Sequence, residues 1–189
     1  MTRIILASAS PRRNELTRQI GLECEIMPSD LEEDTGGMSP RDVALTLSLQ
    51  KAAYIAGRLE TDAIVIGADT VVAADGHTLG KPSDAEDARH MLRLLSGRAH
   101  HVYTGVTIIV IRGDDRRTIS FTEKTEVRVT KLTEDEIDDY IESGDPMDKA
   151  GAYGIQGIFS RHVSGITGDY FNVVGLPVSR LYQEIKAYL

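Results

Sequence analysis

The chain has 189 residues, 41% of them hydrophobic and 26% charged, a globular balance that excludes a disordered or collagen-like protein. Its 21 basic and 29 acidic residues leave a formal net charge of −8, which argues against nucleic-acid binding while still allowing a local basic cluster to hold a small anion. A single cysteine, Cys24, cannot close an internal disulfide, and apolar runs such as Val106 to Ile111 fall far short of the ~20 residues that span a bilayer, so the expectation is a cytoplasmic protein without membrane association.

Arg3 to Ala7 is an apolar run that predicts a buried strand. Ser10-Pro11 then supplies a cap and a first-turn proline, predicting a helix to about Ile20 that Gly21 ends. Glu23 to Met27 reads as a second strand, and the acidic stretch 29–38 as a loop. Ser39-Pro40 repeats the cap-plus-proline signal for a helix over 40–56, stopped by Gly57. Ala63 to Gly67 is strongly apolar and Val71 to Ala73 continues it, with a hairpin turn at Asp75-Gly76. Ser83 to Glu86 has the pattern of a capping box, opening a helix whose stripe is Ala85, Ala88, Met91, Leu92 and Leu95. His101 to Ile111 and Thr118 to Val129 predict two long strands joined at Gly113-Asp114-Asp115. Thr133 to Glu136 is another capping box before a helix to Ser143, Val173 to Pro177 reads as a last short strand, and Val178 to Tyr188 as a closing helix. The order predicts an α/β fold with a mixed twisted sheet flanked by helices, the whole of 1–189 being one domain with two lobes around a cleft.

Chemistry concentrates in a few segments. Arg12-Arg13 in the opening turn of a helix is unfavourable by itself, because that end already carries partial positive charge. An anion bound there reverses the sign, using N–H groups, the Ser8 and Ser10 hydroxyls and the guanidinium forks, so a phosphate site fits; an ordinary capped helix with outward arginines fits too. Asp69 interrupts an apolar run at a strand end, where a carboxylate needs a cation, metal or donor to offset burial. Lys51 falls on the ladder Val43, Leu47, Lys51, Ile55, and Lys81 lies just past the hairpin; either is a snorkelling boundary residue or a phosphate ligand. The acidic stretch Asp30-Leu31-Glu32-Glu33-Asp34 is a solvated loop or, beside phosphates, a holder of Mg²⁺ or Mn²⁺. From Gly144 to Gly157 there are four glycines in 14 residues, which describes either a long turn or a backbone held close to something, with Gln156 able to bond a base edge. Zinc spacing, a P-loop and a readable Ser-His-Asp set are all lacking.

Together these segments resemble the Maf family of nucleoside triphosphate pyrophosphatases. The resemblance is carried by Ser8-Ala9-Ser10-Pro11-Arg12-Arg13, Gly67-Ala68-Asp69-Thr70-Val71-Val72, Leu79-Gly80-Lys81-Pro82, Leu95-Ser96-Gly97-Arg98, Asp148-Lys149-Ala150-Gly151-Ala152-Tyr153 and Val174-Gly175-Leu176-Pro177. It implies a mixed α/β fold with a deep cleft, commonly as a homodimer, and hydrolysis of a nucleoside triphosphate to the monophosphate and pyrophosphate with a divalent metal. By motif, Asp69 would be the general base and a metal contact; Arg12, Thr70 and Gln156 would set substrate choice and activity. Ser8, Arg12, Arg13, Lys51 and Lys81 would meet the phosphates, with Glu33 (or Glu32) at the metal. The segment Asp145 to Gly151 is similar to the branch acting on dTTP and UTP; 7-methyl-GTP hydrolysis and a nucleotide-binding regulator of septum formation are the competing implications.

Overall fold

The computed structural model of the chain describes residues 2–29, 31 and 36–189. Among the described residues seven strands form one mixed sheet: β1 (Ile4–Leu6), β2 (Glu25–Ile26), β3 (Ala63–Ala74), β4 (His77–Leu79), β5 (Ala99–Arg112), β6 (Asp115–Val129) and β7 (Val163–Thr167). The spatial order is β2-β1-β3-β5-β6-β7, with β4 on the free edge of β3. β1 runs parallel to β2 and β3, and every other pairing is antiparallel. The α-helices α1 (Pro11–Gln19), α2 (Pro40–Ala56), α3 (Ala85–Leu95), α4 (Glu134–Glu142), α5 (Tyr170–Val174) and α6 (Val178–Ile185) flank it.

Long strands β3, β5 and β6 join several buried clusters, two of them under helix α2. Toward one end, Ile4, Leu6, Ile64, Ile66, Ile108, Leu176, Leu181 and Ile185 bury against one another. Toward the other, Val72, Leu92, Leu95, Val102, Val127, Ile137, Tyr140 and Phe159 do the same. Each such side chain contributes about 2 kcal/mol through removal from water. The two lobes expected from the sequence share the long strands β3, β5 and β6, which run through both.

Asp69-Thr70 does not break β3, because the strand pairs with β5 continuously from Ala63↔Ile111 to Ala73↔His101. Its other edge is different. β1 covers only Ile64 to Ile66, and β4 only Val72 to Ala74. Among the described residues no strand lies along the intervening stretch, and that interruption is where the cleft opens.

Three further expectations need correction. Val173 to Pro177 is not a strand: Asp169 Oδ1 accepts from Phe171 N at 2.8 Å and starts helix α5, which runs through Val174 and ends at Gly175. The last strand is instead β7, against β6. Helix α3 is capped by Asp84, whose carboxylate accepts from Asp87 N at 2.9 Å, so Ser83 to Glu86 makes no capping box. The long hairpin extends to Ala99 and Asp115, beyond the expected ends. By contrast Thr133 and Glu136 do form the reciprocal capping box on α4.

Candidate active site

The cleft has a volume of about 970 Å³ and collects residues from widely separated segments. Five cationic side chains line it (Arg12, Arg13, Lys51, Lys81, Lys149) against the carboxylates of Asp69, Asp145 and Asp148 among the described residues. A local positive excess thus sits inside a chain of net charge −8.

Helix α2 brings Lys51 to Asp69. Val43, Leu47 and Ile55 of the same stripe are buried against the sheet, so Lys51 must face it too. Two glycines allow the approach: a Cβ on Gly67 would lie 2.3 Å from the Ser48 carbonyl oxygen, and one on Gly105 would lie 2.1 Å from that of Ala44. Gly105 is the β5 residue opposite Asp69. Lys51 Nζ then donates to Asp69 Oδ1 at 2.5 Å, with the two side chains 16% and 13% exposed. This is the cation that a carboxylate within an apolar strand requires. A glycine inside a strand signals a close backbone approach, and that cue at Gly105 went unused in the sequence reading.

Successive side chains of a strand point to opposite faces, so Thr70 meets different partners from Asp69. Arg13 spreads its guanidinium over three acceptors: the Gly175 carbonyl at 2.9 Å, Ser8 Oγ at 3.1 Å and Thr70 Oγ1 at 3.0 Å. It ties α1, the end of β1, β3 and the turn after α5 together at the cleft wall. Arg12 reaches across the mouth to Asp148 at 3.5 Å.

The start of α1 differs from those of its neighbours. Side chains of Ser39, Asp84 and Thr133 cap α2, α3 and α4, whereas Ser10 sits at the cap position of α1 with no side-chain hydrogen bond to the helix. Ser10 N donates to Ser8 Oγ at 3.2 Å instead. The first turn of α1 therefore lines the cleft without a side-chain cap, which leaves N–H groups there for another acceptor.

The glycine-rich segment closes upon itself. Lys149 Nζ donates to the Asp145 carbonyl at 2.6 Å, to Asp145 Oδ1 at 3.1 Å and to Asp148 Oδ1 at 2.6 Å. A Cβ on Gly154 would come within 2.6 Å of Lys149 Cε, and one on Gly157 within 3.1 Å of Asp145 Oδ2. These glycines make room for an internal ion cluster. Lys149 above all, with Arg12 adding, holds the Asp148 carboxyl below the usual carboxylate range. Tyr140 donates to Asp145 Oδ2 at 2.6 Å, and burial together with that carboxylate pushes its phenol up. Gln156, exposed, lines the cleft at the end of this segment, and Lys81 lines it from the loop after β4.

Some expected residues lie elsewhere. Glu33 and its neighbours Asp30, Glu32 and Asp34 are outside the described residues. Leu95 to Arg98 is not part of the cleft lining: Gly97, at φ 68°, turns the chain out of α3, Ser96 Oγ accepts from Leu132 N at 2.8 Å, and Arg98 pairs with Asp75. Thr104, Asn172 and Tyr140 are contributors the sequence reading missed. Their cue would have been polar residues within apolar runs, which is weak when each forms its bonds inside the protein.

Fold and cleft together describe a mixed α/β protein with cationic side chains gathered at an interrupted sheet edge. The family model for Maf-like proteins matches residues 3–188, and the chain belongs to the Maf family. It is 55% identical to the dTTP/UTP pyrophosphatase of Agathobacter rectalis, over 98% of this chain and 97% of that protein. It is 49% identical to the dTTP/UTP pyrophosphatase of Lachnoclostridium phytofermentans, over 100% and 96%, and 51% identical to that of a Bacillus cereus strain, again over 100% and 96%. Among the described residues no helix is long and apolar enough to cross a membrane.

Proposed function

We propose that this protein hydrolyses dTTP and UTP to the monophosphate and pyrophosphate. The observation that carries the reading is the Lys51–Asp69 pair, a carboxylate held by an ammonium at the cleft wall, with Arg12, Lys81 and the α1 terminus opening into the same cavity. The printed activity of relatives about half identical over the full chain supports the substrate choice.

Asp69 takes a proton from the water that attacks the α-phosphorus, which raises the nucleophilicity of that oxygen in the transition state. The bond to the bridging oxygen breaks, and negative charge develops on pyrophosphate. Arg12, Lys51 and Lys81 stabilise that charge, with the Ser8 hydroxyl and the helix N–H groups adding donors. Arg13 serves by holding Ser8 and Thr70 in place. Gln156 and Thr70 face the nucleoside.

Among the described residues no group of three or more metal-ligating side chains comes together. Asp69 offers one carboxylate beside the phosphate site, which fits a cation such as Mg²⁺ or Mn²⁺ that takes one or two carboxylates and completes its shell with phosphate oxygens and water. Glu33 is the second carboxylate we assign to it. When bound, the cation neutralises phosphate charge.

The test is pyrophosphate release from a panel of nucleoside triphosphates with Mg²⁺ or Mn²⁺. Release from dTTP and UTP, abolished by Asp69→Asn, is expected. Release mainly from 7-methyl-GTP would overturn the branch, and binding without release would overturn the enzyme.

A further inference from the structure

Behind Thr70 lies a chain of hydroxyl contacts whose proton directions can be assigned. Arg13 Nη2 donates to Thr70 Oγ1 at 3.0 Å; Thr70 Oγ1 and Thr104 Oγ1 are 2.9 Å apart; Thr104 Oγ1 is 2.8 Å from the carbonyl oxygen of Asn172. Thr104 and Asn172 are wholly buried. The Asn172 side chain is fixed by donation to the Val102 carbonyl at 3.1 Å and to Thr125 Oγ1 at 2.9 Å.

A carbonyl oxygen carries no proton, and two oxygens at 2.8 Å repel unless one lies between them. Thr104 therefore gives its only hydroxyl proton to Asn172. Toward Thr70 it can then only accept, so Thr70 is the donor across the 2.9 Å contact. The Gly175 carbonyl is a poor alternative, since it is 3.5 Å from Thr70 Oγ1 and already receives Arg13 Nε at 2.9 Å. A guanidinium cannot accept, so Arg13 occupies one Thr70 lone pair. The Thr70 proton is used inside the protein, and one lone pair is left for the cleft that Thr70 lines.

We propose that Thr70 meets the substrate as a hydrogen-bond acceptor only, and that buried Thr104 is the positioning residue that fixes this polarity. The inference rests on the nucleotide reading above. Ionised phosphate oxygens are acceptors, so they are not the group Thr70 faces. Its partner is a donor on the nucleoside, either the imide N3–H of the pyrimidine or the sugar 3′-hydroxyl.

The experiment compares pyrophosphate release from dTTP, its N3-methyl derivative and its 3′-deoxy derivative by wild type, Thr70→Val, Thr104→Val and Thr104→Ser, each checked for folding by thermal unfolding. In wild type one of the two analogues should lose about 10-fold in kcat/KM, chiefly through KM, and which one tells base from sugar. That penalty should vanish in Thr70→Val, shrink below about twofold in Thr104→Val and return in Thr104→Ser. A penalty that persists in Thr70→Val, or is unchanged in folded Thr104→Val, overturns the proposal, as does the lack of any penalty in wild type. Should Thr104→Val not fold, the Thr70→Val arm with both analogues still decides. A wild type that releases no pyrophosphate from dTTP overturns the functional reading, and this inference with it; an active wild type with the wrong pattern overturns the inference alone.

Discussion

Of the ion pairs that border the cleft among the described residues, Lys51–Asp69 and Arg12–Asp148 differ most in their surroundings. Lys51–Asp69 is 16% and 13% exposed with a 2.5 Å contact, seated between α2 and the sheet. Arg12–Asp148 is 35% and 66% exposed at 3.5 Å, spanning the mouth. In the first, each charge is intolerable without the other; in the second, water can replace either partner at little cost. A substrate phosphate can thus displace Asp148 from Arg12, whereas Lys51 and Asp69 stay together. One pair is part of the wall and the other is a contact open to exchange.

The largest effect should come from Asp69→Asn, which keeps the shape and removes the base. Turnover should fall on the order of 10²-fold or more, measured by pyrophosphate release, and the unfolding midpoint should drop as well, measured by calorimetry, because Lys51 loses the carboxylate it is paired with. Wild-type turnover in that variant would sink the assignment. Gly105→Ala tests the seat of the buried pair from the other side, by forcing a methyl onto the Ala44 carbonyl. It should destabilise the fold by on the order of 3 kcal/mol in denaturant unfolding.

Burial without a charge partner sharpens the contrast at His100. Burial, with His101 adding, depresses its pKa from 6.5 to about 4. The unfolded chain therefore takes up a proton that the folded chain refuses. This contribution is complete above pH 6.5, and it is lost progressively as pH falls from 6.5 to about 4, a change of about 3 kcal/mol. His100→Phe should flatten the fall of the unfolding midpoint between pH 7 and 4.5; an unaltered slope would show that the burial is not felt.

Lys51→Met should cost about 2 kcal/mol, because it strands Asp69, and adding Asp69→Asn should recover part of that loss. If the two losses simply add, the pair is not coupled. Smallest of all, Arg12→Ala should change stability by less than about 1 kcal/mol while raising KM about 10-fold. A large loss of stability from Arg12→Ala would erase the difference between the two pairs.

How far the sequence reached depends on whether a feature is local. Caps and stops are local, so α1, α2 and α4 were legible, and the stripe that turns Lys51 toward the sheet could be read by counting. Asp69 was legible as a conflict, a charge in an apolar run. Edge strand β7, Val-Ser-Gly-Ile-Thr, has neither alternation nor an apolar run, and only its partner β6 makes it a strand. Val173 to Pro177 misled because a five-residue helix has too few turns to show a period. At the site, the type and place of Arg13 point to an anion, whereas its bonds to Ser8, Thr70 and the Gly175 carbonyl depend on residues up to 162 positions away. Gly154 and Gly157 are local signals of a close approach, but which atoms approach them, those of Lys149 and Asp145, depends on how the segment folds.

The interrupted edge of β3 has a consequence for how such a site can vary. The opening runs from Ile66, the last residue under β1, to Val72, the first under β4. Six residue steps of about 3.4 Å give a window of roughly 20 Å. Lengthening either flanking strand would narrow it by whole steps, and each single step would turn the bordering side chains to the opposite face. The length of ligand admitted is therefore quantised by the pleat, and only substitutions of the side chains around the window can adjust it by less than one notch.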